Sequence, residues 1–228
     1  AVDIRGQGRF GLGTSGNVSK AVSSIKILID GDIAMDTIDT SHAYIPLNTI
    51  SVNDIERIEI INGGGTVLYG SGTRGGVVNI ITKDRTKDRT KEGASGKVYY
   101  QNSSYGTNKL GFDAGINYGN KVIIDLGYEN VNGKGYRRGS KEANEYLNGS
   151  LKYNITDNHS LKFKASRYDS EETLASDLTK SQLLSDRRQS GTLSDIDVDR
   201  KEYSLGYEGK VTDNLKLSLT GYKQDTNK

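Results

Sequence analysis

From Gly93 onward the chain alternates apolar and polar residues with a period of two, the pattern of strands with two unlike faces. In KLGFDAGINYG, Leu110, Phe112, Ala114, Ile116 and Tyr118 fall on one face; Lys109, Gly111, Asp113, Gly115 and Asn117 fall on the other. KVIIDLGYEN sets Val122, Ile124, Leu126 and Tyr128 against Asp125, Gly127 and Glu129. EYLNGSLKYN, SLKFKAS, KEYSLGYEGK and NLKLSLTGY repeat the theme with Leu147, Leu151, Tyr153, Leu161, Phe163, Ala165, Tyr203, Leu205, Tyr207, Leu215, Leu217 and Leu219. With GKVYYQNSS this predicts about seven strands of roughly ten residues, the length a tilted strand needs to cross a bilayer.

The connections alternate too. Short turns are expected at YGNK, NITDNHS and VTDN, and long connections at 131–144 and 170–198. Sorting of turns by length fits a barrel with short turns at one rim and longer loops at the other. Tyr118, Tyr153 and Tyr207 lie toward the short-turn ends, Tyr128, Tyr168 and Tyr203 toward the long-loop ends, as two interfacial girdles would. An ordinary antiparallel sheet with one wet face is the alternative.

Before Lys83 the texture differs. VDIRG, SIKILIDG, IERIEIIN and GVVNIITK are β-branched runs bounded by Gly or polar residues, so they predict strands. Pro46 opens a short helical stretch reaching Asp54. Between the halves stands KDRTKDRTK, Lys83 to Lys91, a four-residue unit repeated without an apolar residue. It reads as a solvated charged hinge. The division is 1–83 as a mixed α+β unit, 84–93 as a charged linker and 94–228 as transmembrane-type strands.

Composition narrows the choices. Only 33% of the 228 residues are hydrophobic, which suits strands that are apolar on one face alone. A net charge of +2 leaves no nucleic-acid footprint. There is no cysteine, hence no disulfide or thiolate metal site. No apolar run is long enough for a membrane helix, which leaves membrane strands open. The chain starts AVDIRG and ends GYKQDTNK, and reads as a fragment. In lipid every backbone amide needs a partner, so such a sheet must close. Seven strands do not make the usual even count, and more are expected to follow. Wide barrels hold a plug in the bore.

Glycine raises a competing reading. GQGRFG, GLGTSG and GSGTRG all satisfy G-x-G-x-x-G, but that fingerprint needs a strand before it and a helix after it. A Gly- and Ser-rich stretch follows the first two, and the strand GVVNIITK follows the third. These glycines suit tight turns and close backbone approach instead.

Four segments, DIRG (Asp3–Gly6), ILIDG (Ile27–Gly31), DIERIEIINGG (Asp54–Gly64) and VLYGSGTRGGVVNIITK (Val67–Lys83), carry a resemblance in order and spacing. They resemble the plug of TonB-dependent outer-membrane receptors. The family commonly has Arg-Gly-Pro where this chain has Asn62-Gly63-Gly64. The amino-terminal part of the plug, with its energy-coupling box, is absent from the segment.

The resemblance implies an α+β plug followed by an antiparallel transmembrane β-barrel in the outer membrane of a Gram-negative bacterium. It implies a non-enzymatic receptor for active uptake of a scarce small molecule: a ferric siderophore first, haem or cobalamin next. The implied partners are TonB with its inner-membrane energising complex and outer-membrane lipid, with no nucleic acid. Arg9, Phe10, Met35, His42 and Tyr44 become candidate ligand contacts on apical plug loops. Arg5, Glu56 and Arg57 become candidate charge contacts between plug and barrel wall. Independently, Asp195, Asp197 and Asp199 alternate before a strand and are a possible Ca²⁺ site, although the EF-hand pattern fails at Arg200 and Gly206. No other cofactor is implied. His159, in a short turn, reads as solvated. A passive porin or adhesin barrel without energy coupling is the alternative function. A soluble nucleotide-binding enzyme is a third, weaker one.

Overall fold

The structure is a computed structural model, and it describes residues 25–33, 50–62, 66–70, 73 and 75–227. The chain divides into two compact units, Ala1–Lys83 and Asp84–Lys228.

Among the described residues the first unit is built on a four-stranded sheet. Its strands are β1 (Ile25–Ile29), β2 (Asp32–Ile33), β3 (Ile55–Ile61) and β4 (Gly76–Thr82), in the order β2-β1-β4-β3. β1 runs parallel to β4, and the other pairs are antiparallel. The two central strands are buried on both faces, which is why they read as continuous apolar runs. On one face Ile25, Ile27, Ile29, Val78 and Ile80 join Ile50 as a core, with Ile55 packed against it. On the other, Leu28 and Val77 are buried beside Asn79. Asn79 is satisfied across the sheet: it accepts from the Gly31 N–H at 3.0 Å and donates to Glu59 at 3.3 Å. Asp30 ties the β1–β2 turn to β4 by accepting from the Thr82 N–H at 2.8 Å.

Among the described residues two short helical pieces accompany the sheet. A 3₁₀ turn at Val52–Asp54 is capped by Ser51, whose hydroxyl accepts from the Asn53 N–H. It is shorter than the stretch expected to start at Pro46, and residues 46–49 lie outside the described residues. A helical turn α1 (Thr66–Tyr69) ends at Gly70, whose φ of +76° only glycine adopts without strain. The Lys26 ammonium bonds the Tyr69 carbonyl there. Of the glycine-dense stretch, Gly70 follows the helical turn and Gly76 opens β4.

The second unit is a seven-stranded antiparallel meander: β5 (Gly93–Asn102), β6 (Asn108–Tyr118), β7 (Val122–Lys134), β8 (Lys141–Thr156), β9 (His159–Ala175), β10 (Leu193–Thr212) and β11 (Leu215–Asn227). Register follows the hydrophobic pattern. Phe112 pairs with Tyr128, Tyr128 with Leu147, and Leu151 with Phe163, which in turn faces Leu205. One face is therefore apolar from strand to strand and exposed throughout: Leu110, Leu126, Leu147, Phe163, Leu205 and Leu219 are each more than a third accessible. The other is polar and largely buried, with Asp113, Asn117, Asp125, Glu129, Ser170, Glu172 and Arg200.

The long connections are shorter than the pattern suggests. Much of 131–144 and 170–198 continues the ladder, leaving loops at 135–140 and 176–192. Strand length grows from 10 residues in β5 to 20 in β10, so the sheet extends well past the apolar band. Tyr168 departs from the girdle expected of it. It lies on the polar face, buried, with its hydroxyl donating to Asn144 at 3.2 Å. Even-numbered residues of β9 face away from Leu161 and Phe163, which decides its side. His159 is half-buried instead of solvated: its Nδ1 lies 2.7 Å from the Tyr207 hydroxyl and the rings stack.

Truncating Ile27 to Ala should cost the first unit about 2–5 kcal/mol by opening a cavity that the two-sided packing of β1 cannot close. Hydrogen exchange of the intact protein should then show faster exchange across Ile25–Ile29 and Gly76–Thr82, with the seven-stranded sheet unchanged.

Candidate functional site

A densely bonded polar site in the second unit is made by the charged repeat. Its period of four sets Arg85 and Arg89 on one side of a helical turn, since residues four apart on a helix are neighbours. That turn, α2 (Arg85–Asp88), is opened by Asp84, whose carboxylate accepts from the Thr86 N–H at 3.2 Å and hydroxyl at 2.6 Å. Both arginines reach the polar face of the sheet. Arg85 pairs with Asp113 of β6 and lies 3.9 Å from Asp125 of β7. Arg89 donates through Nε to Asp125 at 2.6 Å and through Nη1 to the Ser95 carbonyl of β5 at 2.9 Å. Asn117 of β6 donates to the Arg89 carbonyl at 2.8 Å, and Asp84 pairs with Lys162 of β9.

Side-chain size on the wall permits this approach. A Cβ at Gly115 would fall on the Arg89 guanidinium and on the Ile124 carbonyl. A Cβ at Gly127 would stand 2.8 Å from Asn148 and 3.1 Å from Arg85. Glycine at these two polar-face positions makes the seat for the arginines. The repeat expected as a solvated hinge is thus docked: Thr86 is buried and only Lys87 of the α2 ion-pairing residues is widely exposed. The signal for this was in the sequence, as the i, i+4 arginine pair and the glycines alternating with Asp113 and Asp125.

The electrostatics agree with the geometry. Burial pushes the Asp84 carboxyl up, but its bonds to Lys162 and Thr86 outweigh that and hold it down from 3.8 to about 2. Farther along the wall the polar face continues as a bonded network. Tyr99 donates to Glu129 at 2.9 Å, Lys109 pairs with Glu129 at 3.1 Å, and Ser170 donates to Asn144 at 2.7 Å. Such a face suits a water-filled or plugged bore, as the opposite face suits lipid.

At the long-loop rim a second cluster joins three loops. The Arg188 guanidinium lies 5.7 Å from the Tyr105 ring centre and 5.9 Å from that of Tyr136, and these two rings meet edge to face. Arg188 also donates to the Tyr136 carbonyl at 3.1 Å. Arg137 bonds the carbonyls of Gln189, Ser176 and Ser190, and Arg138 pairs with Asp186 at 2.7 Å. Both tyrosines remain close to half exposed. The composition of this rim, cationic and aromatic, can meet an anionic ligand with an aromatic or planar face.

The residues singled out from sequence are placed as follows. Arg5, Arg9, Phe10, Met35, His42 and Tyr44 lie outside the described residues. Glu56 and Arg57 stand exposed on β3, where Arg57 bonds Glu56 at 3.0 Å and Glu59 at 2.9 Å. Asp195, Asp197 and Asp199 share one face of β10, but alternate strand residues stand ~6.6 Å apart. The outer two are therefore roughly 13 Å apart, too far to share one Ca²⁺ with ligands at about 2.5 Å. Asp199 is instead paired with Arg167 at 2.8 Å and Lys201 at 3.3 Å, and Asp195 accepts from Thr173 at 2.6 Å. Among the described residues no group of three or more His, Asp or Glu side chains is disposed to hold a metal.

Comparison with known proteins fits these two units. Residues 1–77 match the family described as TonB-dependent Receptor Plug Domain. The ferric enterobactin receptor PirA of Pseudomonas aeruginosa is 33% identical over 139 residues, covering 52% of this chain and 18% of its own. The vitamin B12 transporter BtuB of Vibrio cholerae is 29% identical over 114 residues, covering 49% of this chain and 17% of its own. The chain thus spans less than a fifth of the length of these curated relatives. Among solved structures, the unliganded ferric citrate transporter FecA superposes with a TM-score of 0.67 over 98% of this chain and 34% of its own, at 22% identity. The ferric-catecholate import receptor Fiu of E. coli K12 gives 0.67 over 93% of this chain and 36% of its own, at 13% identity. Residues 1–77 thus match the plug-domain family, and nearly the whole chain shares the fold of a plug followed by barrel strands.

Two outcomes follow. Leu205→Arg, on the apolar face, should cost about 2–4 kcal/mol in urea unfolding of the protein reconstituted in lipid bilayers, whereas Ser204→Arg on the polar face should cost far less. Second, Asp84 is held below its ordinary value, so its contribution is complete above about pH 4 and is lost as pH falls toward 2. Amide exchange at 84–93, corrected for the intrinsic rate, should accelerate only in that acid window.

Proposed function

We propose that this chain is part of an outer-membrane receptor of a Gram-negative bacterium that takes up a scarce extracellular ligand, most naturally a ferric siderophore, in a TonB-dependent manner. The observation that carries the reading is the union of a plug domain with a sheet that is apolar and exposed on one face, ionic and buried on the other. A sheet so divided suits a tube through lipid, and a plug in its bore makes passive diffusion insufficient. Transport then needs the plug to be displaced by an energised partner, TonB with its inner-membrane complex, in place of any bond-making chemistry.

The ligand class is supported from two sides. PirA is named for ferric enterobactin and FecA for ferric citrate, both anionic iron chelates. The rim offers Arg137, Arg138 and Arg188 with Tyr105 and Tyr136, which favours a negative ligand. In this reading Arg9, Phe10, Met35, His42 and Tyr44 are ligand contacts from the plug, and Arg5, Glu56 and Arg57 take part in charge contacts with the barrel wall. Cobalamin is the second candidate, because BtuB is among the relatives.

The test is uptake. A strain lacking the gene should lose accumulation of one radiolabelled ferric chelate under iron limitation, and regain it with the intact gene but not in a tonB-deficient background. Loss of cobalamin uptake alone would reassign the ligand. Unchanged uptake of ferric chelates, haem and cobalamin together would overturn the transport reading.

A further inference from the structure

The docked repeat has a property that neither a hinge nor a spacer needs. Through Asp84, Arg85 and Arg89 it is fastened to four different strands: Ser95 of β5, Asp113 and Asn117 of β6, Asp125 of β7 and Lys162 of β9. Three of these partners, Asp113, Asn117 and Asp125, are almost completely buried. Breaking one side of such a pair leaves a buried charge uncompensated, which is the costly direction. The glycine seat fits the arginines sterically, so the attachment is shaped as well as charged. The residue just before it, Lys83, is bonded within the first unit, its N–H to the Asp54 carbonyl at 2.7 Å and its ammonium to the Asn53 carbonyl at 2.7 Å. Bonding therefore changes owner between two consecutive residues.

We propose that Asp84–Arg89 is a mechanical anchor: the point at which displacement or unravelling of the plug stops, so that tension on the plug does not peel β5 from the barrel. This rests on the reading that the plug is displaced during transport. The physical argument is one of direction and number. A pull transmitted along the chain reaches Asp84 before it reaches the first hydrogen bond of β5. At β5 it could open the ladder one bond at a time, from an end. At the anchor it must instead disrupt several charged and hydrogen-bonded contacts that are spread across four strands. Contacts loaded together resist more than the same number loaded in sequence. The anchor also explains the repeat. One arginine would tie the turn to one carboxylate and let it pivot; two, a helical turn apart, fix its axis against the wall.

The experiment is single-molecule pulling on the full-length receptor in a lipid bilayer, with the handle on the amino-terminal, plug side. In the unaltered protein the extension released before the main force barrier should end at Lys83. In Asp113→Asn/Asp125→Asn the barrier should fall in force and move by the length of the strap, 84–93, roughly 33–36 Å at ~3.3–3.6 Å per residue. Lys162→Gln, at the other end of the strap, should lower the barrier less and leave the barrel assembled if the double variant does not fold. Heat-modifiable electrophoretic mobility reports assembly of each. A barrier at the same extension and force in the unaltered protein and in both folded variants would overturn the anchor, as would one already lying beyond Gly93 in the unaltered protein. Because no ligand is used, a shifted barrier together with unchanged uptake of every ferric chelate, haem and cobalamin would retain the anchor and reject the transport reading.

Discussion

A strand has two faces and no third, and in the second unit each face meets a different medium. Backbone amides in an apolar setting must be paired, so the strands are laddered along nearly their whole length. Once the ladder is fixed, every side chain is committed by parity to one side. Leu126 and Asp125 are adjacent in sequence yet serve opposite environments, one about half exposed and the other almost wholly buried. A slip of one residue would exchange them, so the register is set by a penalty that repeats at every position.

The strap depends on that commitment. Arg85 and Arg89 find carboxylates because Asp113 and Asp125 face the polar side, and they find space because Gly115 and Gly127 face the same way. The acids and glycines alternate with leucine, phenylalanine and isoleucine along β6 and β7. The same period that makes one surface greasy therefore makes the other a socket. In the first unit the logic is different: β1 and β4 are covered on both sides, and uniform apolar runs replace alternation.

Much of this could be read from the sequence. The seven strands, their pairing order and their apolar side follow from period two, and the family resemblance of the first half rests on residues that stand in order. Other features could not be read so directly. The repeat has no apolar residue, and its arginines have meaning only beside carboxylates that lie 28 and 36 positions further along the chain. The lengths of β8 to β10 were hidden because outside the band charged residues stand on the apolar-side face as well, as Arg167, Asp169, Asp199 and Lys201 do, and alternation loses its contrast. Tyr168 was legible in principle. Counting on from Leu161, Phe163 and Ala165 places it on the polar side, but its aromatic character suggested a girdle.

The growth of the strands toward β10 changes what kind of rim this side possesses. A strand of 20 residues is roughly 65 Å long, about twice what a tilted crossing requires. The surplus is built as sheet, already stripped of conformational freedom, in contrast to a long irregular loop that must surrender that freedom whenever it closes on something. A molecule meeting this parapet would therefore find a surface ordered in advance. The tightness of any grip would depend on matching chemistry and outline, with little of the interaction consumed in arranging the host.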